Sequence, residues 1–267
     1  VQADPVSEIT TPPGTGGDST GGLAMAVEMC NNNGHCRKFD AGTMCPSYRA
    51  TRDEQHLTRG RANTLRLALS GQLGADAFTS EAMFDTLDLC VGCKGCKRDC
   101  PTGVDMARMK VEFLAHYKAR HGYTLADRLV AQLPDYAALA SRLAWFANLR
   151  DTVPGAAWLS EKLLGFTAKR KLPQWRRDTF WRSHDPAMFS SLADTLAAAR
   201  RNSKAAVLFV DTFNGHFETE NPLAAARVLH AAGYTLHLLI KREGHHCCGR
   251  SFLSVGMVDE AKAKAGA

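Results

Sequence analysis

The sequence of 267 residues lacks any run of about 20 apolar residues, the length that a helix needs to cross a bilayer. It also lacks a signal peptide, because the opening segment VQADPVSEITTPPGTGGDSTGG has neither a basic nor an apolar region. We therefore predict no transmembrane segment. The opening is polar, rich in Gly and Pro, and starts at Val1 without Met, so we expect residues 1–22 to be a linker that follows an upstream domain.

The cysteines do not follow the pattern of a disulfide scaffold. There are nine of them, an odd number, and seven lie between Cys30 and Cys100. A chain of this length buries roughly 70 to 75% of its unfolded surface and needs no disulfides to fold. We predict a reducing, cytoplasmic location, with the inner face of the membrane as a site of peripheral attachment.

The net charge of +6 includes a basic stretch at residues 169–182, KRKLPQWRRDTFWR, which contains two tryptophans. Such a stretch suits nucleic acid, anionic lipid or an acidic protein. We interpret it as a solvated linker whose aromatic side chains pack on a neighbouring domain, and we predict no nucleic-acid partner.

Apolar periodicity predicts a mainly α chain. Helices are expected over residues 51–69, 80–89 and 104–121, the last with a stripe of Met106, Met109, Phe113 and Tyr117. Shorter helices are expected over residues 125–166, broken near two prolines. Residues 23–49, rich in Cys, Asn and Gly, are predicted to be a loop around something other than an apolar core.

The tail changes character. Apolar runs of strand length at residues 205–211 and 234–240 flank a helical pattern at residues 221–233, which predicts a parallel βαβ unit. The predicted domains are therefore the linker at 1–22, a helical domain at 23–166, a basic linker and helix at 167–203, and an α/β domain at 204–267.

The stretch CVGCKGCKRDCP has the spacing C-x2-C-x2-C-x3-C-P, formed by Cys90, Cys93, Cys96 and Cys100. This is the bacterial ferredoxin run, in which the first three thiolates hold one [4Fe-4S] cluster and the fourth reaches another. Zinc sites instead use two separated pairs and have no need of the trailing proline. The spacing therefore predicts an iron-sulfur cluster.

A second set supplies the remaining thiols: Cys30, Cys36 and Cys45, the last again followed by proline. By symmetry, Cys45 is predicted to complete the site of Cys90, Cys93 and Cys96. Three thiols then remain for a second metal site, Cys30, Cys36 and Cys100, which is one ligand short. Three alternatives stay open: a three-iron cluster, a non-cysteine ligand such as His35, or no second cluster.

Cationic residues adjoin both cysteine sets in sequence and are predicted to offset the negative charge of a thiolate-bound cluster. They are Arg37, Lys38, Lys94, Lys97 and Arg98. Gly92 and Gly95 are predicted to leave backbone amides free to donate to sulfur. Plain solubility is the competing interpretation of these charges.

Two ferredoxin-type cysteine sets separated by a helix resemble the helical iron-sulfur domain of succinate dehydrogenase and of glycolate oxidase iron-sulfur subunits. From Gly22 onward, EMCNNNGHCRKFDAGTMCPSYRATRDEQHLTRGRANTLRLALSG and LCVGCKGCKRDCPTGVDM are similar to bacterial FAD-linked oxidases of the D-lactate and D-2-hydroxyglutarate dehydrogenase type. The resemblance implies an upstream FAD domain that oxidises a D-2-hydroxy acid, and clusters that carry electrons to a quinone or carrier protein.

The stretch HHCCGRSFLSVGMVDEA is similar to the CCG domain of glycolate oxidase subunits and heterodisulfide reductases. Two departures weaken this likeness: Thr212 stands where that family has a cysteine, and no second CCG repeat follows. The resemblance implies a partial α/β CCG-type domain after the ferredoxin-like helical domain. Metal binding by Cys247 and Cys248 with His245 and His246 is the less favoured interpretation, and a reduced pair is favoured.

No residue is a convincing general base for a substrate hydroxyl, so we predict no catalytic residue in this chain. The favoured function is the electron relay of a flavin-dependent dehydrogenase. One alternative is a zinc-stabilised helical module that binds nucleic acid or a partner protein. Another is a cluster that only holds the fold together.

Overall fold

The structure, a computed structural model, describes residues 22–39, 41–201, 204–240 and 247–266. Two compact units divide the chain. The first contains the described residues up to Tyr123 together with Leu253–Val258, and the second contains Thr124–Phe252 and Asp259–Ala267. The domain boundaries predicted at residues 166 and 203 stay predictions, and the predicted linker at 1–22 lies almost wholly outside the described residues.

Helices make up the regular structure of residues 22–123. They are α1 (Leu23–Glu28), α2 (Pro46–Thr51), α3 (Thr58–Leu69), α4 (Glu81–Asp88), α5 (Gly95–Asp99) and α6 (Met106–His121), with 3-10 turns at His35–Arg37, Glu54–His56 and Ala77–Thr79.

The later part of the chain adds further helices and two strands. These are α7 (Leu125–Ala131), α8 (Leu133–Arg142), α9 (Ala144–Ala147), α10 (Leu149–Thr152), α11 (Ala156–Leu164), α12 (Phe180–Ser183), a 3-10 turn at Pro186–Met188, α13 (Leu192–Arg200), β1 (Ala205–Leu208), α14 (Thr212–His216), α15 (Glu220–Ala231), β2 (Thr235–Leu238), α16 (Arg250–Leu253) and α17 (Val258–Ala265).

The mainly α fold class is confirmed, and so are most predicted elements. In α4, the Ser80 hydroxyl accepts a hydrogen bond from the Met83 amide at 3.2 Å, which caps the helix. In α6, Met106, Met109 and Phe113 are fully buried, as the apolar stripe predicts. Within the described residues, no helix is both long and apolar enough to cross a membrane.

Two predicted elements differ from the structure. Residues 23–49 are not a loop throughout, because Leu23 and Val27 lie one helical turn apart and both enter the apolar core on α1. The helix predicted from residue 51 begins only at Thr58, since Arg52 adopts a left-handed backbone conformation with φ 61°. Gly60 permits the turn before it, because a Cβ there would lie 2.1 Å from the Glu54 carbonyl oxygen.

The tail forms the predicted parallel βαβ unit. Strand β1 pairs with β2 in a register that runs from Ala205 opposite Thr235 to Leu208 opposite Leu238. The helix α15 lies between them in the chain. A small apolar core of Phe180, Val210 and Leu238 supports this part of the second unit.

Candidate iron-sulfur centre

Four cysteines from two distant stretches line one cavity in the first unit. The cavity has an empty volume of about 310 Å³, open solvent included. Its cysteines are Cys45, Cys90, Cys93 and Cys96, the set predicted to bind one cofactor. Thr58, Arg61, Lys94 and Met106 are among the residues that complete the lining.

The first residues of α2 and α3 fix the position of Cys45. It has a left-handed backbone, φ 54°, directly before Pro46, which opens α2. Its sulfur accepts a hydrogen bond from the Thr58 backbone amide at 3.1 Å and lies 3.0 Å from the Thr58 hydroxyl. Thr58 is the first residue of α3, so the sulfur occupies the end of that helix where the backbone amides are otherwise unpaired.

The ferredoxin-type run turns its backbone amides toward its sulfurs. The Gly95 amide lies 3.5 Å from the Cys93 sulfur, and the Met106 amide donates to the Cys96 sulfur at 3.3 Å. Burial raises the pKa of Cys96 to about 11, and the bond from Met106 opposes that rise. These donors suit a sulfur that carries negative charge when it binds metal.

Cys36 lies beside Cys45 at the same end of α3. A hydrogen bond from the Cys45 thiol lowers the pKa of Cys36 to about 7, and the Arg59 backbone amide lowers it further. The same bond, together with burial, raises the pKa of Cys45. Cys30 is near enough to Cys36 for their charges to interact.

The other two residues considered for a second metal site, Cys100 and His35, are not among the residues that line the cavity. The Cys100 sulfur lies 3.2 Å from the Thr102 hydroxyl. The His35 backbone amide donates to the Asn33 side chain at 2.8 Å, and the His35 side chain is partly buried. Across the described stretches of the chain, no three Cys, His, Asp or Glu side chains are grouped closely enough to hold one metal ion.

Two cations beside the cavity were missed by the sequence analysis. Arg61 is only 2% exposed, and it donates to the Thr86 carbonyl and to the Ser47 hydroxyl, each at 3.0 Å. Burial lowers its pKa, and charge on Cys90, Cys45 and Cys96 opposes that fall.

The second of these cations is Lys110. Its ammonium donates to the carbonyls of Asp88 and Cys90 at 2.7 and 2.9 Å. Burial lowers the pKa of Lys110, while charge on Cys90 acts to raise it.

The burial of Arg61 could have been predicted from the sequence, since Arg61 lies four residues from both Leu57 and Leu65 on the apolar stripe of its helix.

The cations named from sequence mostly pair with carboxylates. Lys94 and Lys97 lie 3.4 and 3.6 Å from Asp105, Arg37 lies 3.1 Å from Glu54, and Arg98 lies 3.9 Å from Asp99. Lys38 is exposed. Of this group, Lys94 lines the cavity.

The tail cysteines lie in the second unit. Cys248 is exposed and Cys247 is partly buried, with its sulfur 3.4 Å from the Gly249 amide. His245 and His246 lie outside the described residues. Thr212 is buried at the start of α14.

The donor set of the cavity suits an iron-sulfur cluster. Four thiols surround an opening, backbone amides point at their sulfurs, and a buried guanidinium lies beside them. A buried cation is costly without an anionic partner, and a cluster held by four thiolates supplies one.

Comparison with known proteins agrees with this chemistry. Residues 26–104 match the family described as the 4Fe-4S dicluster domain. The chain contains an iron-sulfur domain. That domain includes all seven cysteines between Cys30 and Cys100.

The iron-sulfur domain and its neighbouring residues also match longer curated proteins. The chain is 27% identical to a D-2-hydroxyglutarate dehydrogenase of Pseudomonas putida over 246 residues, and 28% identical to one of Pantoea ananatis over 248 residues. These alignments cover 78% and 79% of this chain and 24% of each relative. The predicted resemblance to the iron-sulfur region of such dehydrogenases is confirmed.

A shorter match is 29% identical to the Escherichia coli D-2-hydroxyglutarate dehydrogenase over 171 residues, 51% of this chain and 17% of the relative. The chain therefore spans about a quarter or less of the length of these relatives. No solved structure matches the chain.

Proposed function

We propose that Cys45, Cys90, Cys93 and Cys96 hold one [4Fe-4S] cluster. The observation that carries this proposal is that the four thiols line one cavity although Cys45 and Cys90 are 45 positions apart in the sequence. A single zinc ion would need its thiolates about 2.3 Å from one point. Thiols spread around an opening suit a cofactor with four irons, each of which takes one thiolate.

The surrounding residues have a defined task in this proposal. The cluster supplies a one-electron carrier, and the protein sets its charge balance and solvent access. Thr58 and Met106 donate to sulfurs, while Arg61 and Lys110 place positive charge beside the site. These contacts stabilise the more negative, reduced state relative to the oxidised one.

For the whole polypeptide we propose an FAD-dependent dehydrogenase that oxidises a D-2-hydroxy acid. The relatives that align with most of this chain carry the name D-2-hydroxyglutarate dehydrogenase. In this proposal an upstream FAD domain performs the oxidation, and the present region relays electrons to a quinone or carrier protein. We place it in the cytoplasm, with peripheral attachment at the inner face of the membrane.

Two finer parts of the prediction stay proposals as well. Cys30, Cys36 and Cys100 remain the candidate ligands of a second metal site, in keeping with the dicluster description of the family. The βαβ unit and the Cys247–Cys248 pair remain the candidate start of a CCG-type domain like that of glycolate oxidase subunits.

A cysteine-to-serine series tests the ligand set. After anaerobic reconstitution, Cys45→Ser and Cys93→Ser are expected to lose the four irons of the cavity cluster, because each removes one thiolate. Cys248→Ser is the matched control, since this exposed thiol lies in the second unit. Equal iron in Cys45→Ser and the control would contradict the proposed set. A loss of further irons in Cys100→Ser, while the irons lost in Cys45→Ser are retained there, would identify a second, separate cluster.

A relay test addresses electron transfer. The reconstituted chain, mixed anaerobically with reduced FAD at one FAD per two chains, is expected to show the electron paramagnetic resonance signal of a reduced cluster, because each cluster takes one of the two electrons that reduced FAD releases. Addition of a water-soluble quinone is expected to remove that signal. A cluster that is present but unchanged by both reagents would favour a structural role and contradict the relay.

A further inference from the structure

An exposed apolar surface covers several consecutive helices of the second unit. The side chains of Trp145, Phe146, Trp158 and Leu163 are 61%, 62%, 60% and 65% exposed. They lie on α9 and α11, and α10, between them in the chain, packs against both helices. We call these four residues the tryptophan face. Large apolar side chains that are this exposed on neighbouring helices are typical of an interaction site.

Asn148, which lies between α9 and α10, and Arg150, on α10, hold a basic segment in place. Asn148 exchanges two hydrogen bonds of 2.9 Å with the backbone of Trp175. Arg150 donates to the carbonyls of Thr167 at 2.7 Å and Arg170 at 3.3 Å. Residues 167–175 are therefore held by hydrogen bonds to residues of α10 and of its junction with α9.

The exposed charges within positions 139–177, the stretch that contains the tryptophan face, are cationic. The two acidic residues within positions 139–177 are Asp151 and Glu161. Asp151 accepts from the Leu172 amide at 3.0 Å, and Glu161 accepts from the Ala168 amide at 3.0 Å. Both carboxylates thus bind the segment internally, and the exposed charges are cationic: Arg142, Lys162, Lys169, Arg170, Lys171 and Arg177.

We propose that the tryptophan face docks on a membrane surface that contains anionic lipid. Tryptophan side chains with flanking Lys and Arg are the anchors that bind the boundary between headgroups and acyl chains. Clustered cations add attraction to anionic lipid. A protein interface would also use Trp and Arg, but such interfaces are depleted in Lys, and three of the exposed cations here are lysines.

This inference rests on the part of the proposed function that attaches the polypeptide peripherally to the inner face of the membrane. It does not depend on the cluster, because its residues lie in the second unit and the cluster cysteines lie in the first. Vesicle binding without a redox measurement therefore tests it separately.

The test is co-sedimentation of the 267-residue chain with vesicles of phosphatidylcholine, with and without phosphatidylglycerol. We expect at least about tenfold tighter binding to the anionic vesicles, with a blue shift of tryptophan emission. The double variant Trp145→Ser, Trp158→Ser is expected to lose at least about tenfold in affinity, since both rings are exposed and would be buried on docking. Val228→Ser, 67% exposed on α15, is the matched control and is expected to bind normally.

A second variant keeps the test valid if the first folds poorly. Lys169→Glu, Lys171→Glu is expected to abolish the preference for anionic vesicles, whereas Arg200→Glu, Arg201→Glu, with the same change in net charge, is expected to retain it. Absence of vesicle binding by the unmodified chain would overturn the proposal. Equal loss of vesicle affinity in a variant and its control would also overturn it. A dimer of the chain in solution that the tryptophan double variant dissociates would do the same, since that result would assign the tryptophan face to contact with a second copy.

Discussion

Arg61 provides the sharpest test of how the protein tunes the candidate cluster. It is 2% exposed, lines the cavity with Cys45, Cys90, Cys93 and Cys96, and keeps its guanidinium in place through Thr86 and Ser47. Arg61→Met removes the charge and retains a long apolar side chain. We expect the reduction potential of the cluster to fall, because reduction adds negative charge that this cation stabilises.

The size of the effect follows from Coulomb's law. A unit charge on the order of 6 Å from the cluster, at an effective permittivity of about 20, contributes about 3 kcal/mol to the free energy of adding one electron. Since 1.4 kcal/mol is about tenfold and tenfold is about 59 mV for one electron, the expected fall is about 120 mV. A different quantity is affected in the metal-free chain, where the thiols are protonated and the buried Arg61 has no anionic partner. There Arg61→Met is expected to leave the free energy of unfolding unchanged or to raise it.

The assay is a redox titration of the reconstituted protein, followed by electron paramagnetic resonance. Arg61→Lys is expected to recover most of the potential, because it restores the charge without the paired hydrogen bonds. Arg98→Gln is the control on the cysteine run itself, since this side chain is 86% exposed and its charge is screened by solvent. A potential that is unchanged or higher in Arg61→Met would refute the reasoning.

Three further substitutions test the framework of the site. Thr58→Val removes the hydroxyl 3.0 Å from the Cys45 sulfur, so we expect a fall in reduction potential smaller than that of Arg61→Met, and an equal or larger fall would argue against a dominant buried charge. Gly95→Ala would place a Cβ 2.8 Å from the Thr43 hydroxyl and 3.0 Å from its carbonyl oxygen, and is expected to lower the free energy of unfolding in urea by about 1–3 kcal/mol; no change would show that this approach relaxes freely. Phe113→Ala empties a fully buried position on α6 and is expected to cost about 3–5 kcal/mol in the same assay, whereas a loss below about 1 kcal/mol would contradict its core role.

Local patterns predicted α4, α6 and the βαβ unit well, because each depends on short-range periodicity and a capping or turn residue. The proline after Cys45 and after Cys100 led to the prediction that Cys45 shares a site with Cys90, Cys93 and Cys96. The structure places these four thiols on one cavity, while their role as ligands stays a prediction.

Arg61 and Lys110 were missed for a physical reason. The sequence analysis selected cations that are close to a cysteine in sequence, whereas the cations that affect the candidate cluster are those close to it in space. Arg37 and Arg98 are exposed and paired, whereas Arg61 reaches the cavity from the apolar side of α3. The basic segment at residues 167–175 was likewise interpreted as a linker, since the hydrogen bonds from Asn148 and Arg150 that fix it cannot be deduced from composition.

The identity of the metal centre is the measurement that tests this account most directly. Anaerobically reconstituted protein is analysed for iron, acid-labile sulfide and zinc, and its reduced form is examined by electron paramagnetic resonance. The account predicts at least four irons and four sulfides per chain, with the signal of a reduced [4Fe-4S] cluster that disappears in Cys45→Ser. A colourless protein with one zinc ion per chain and no signal would contradict it.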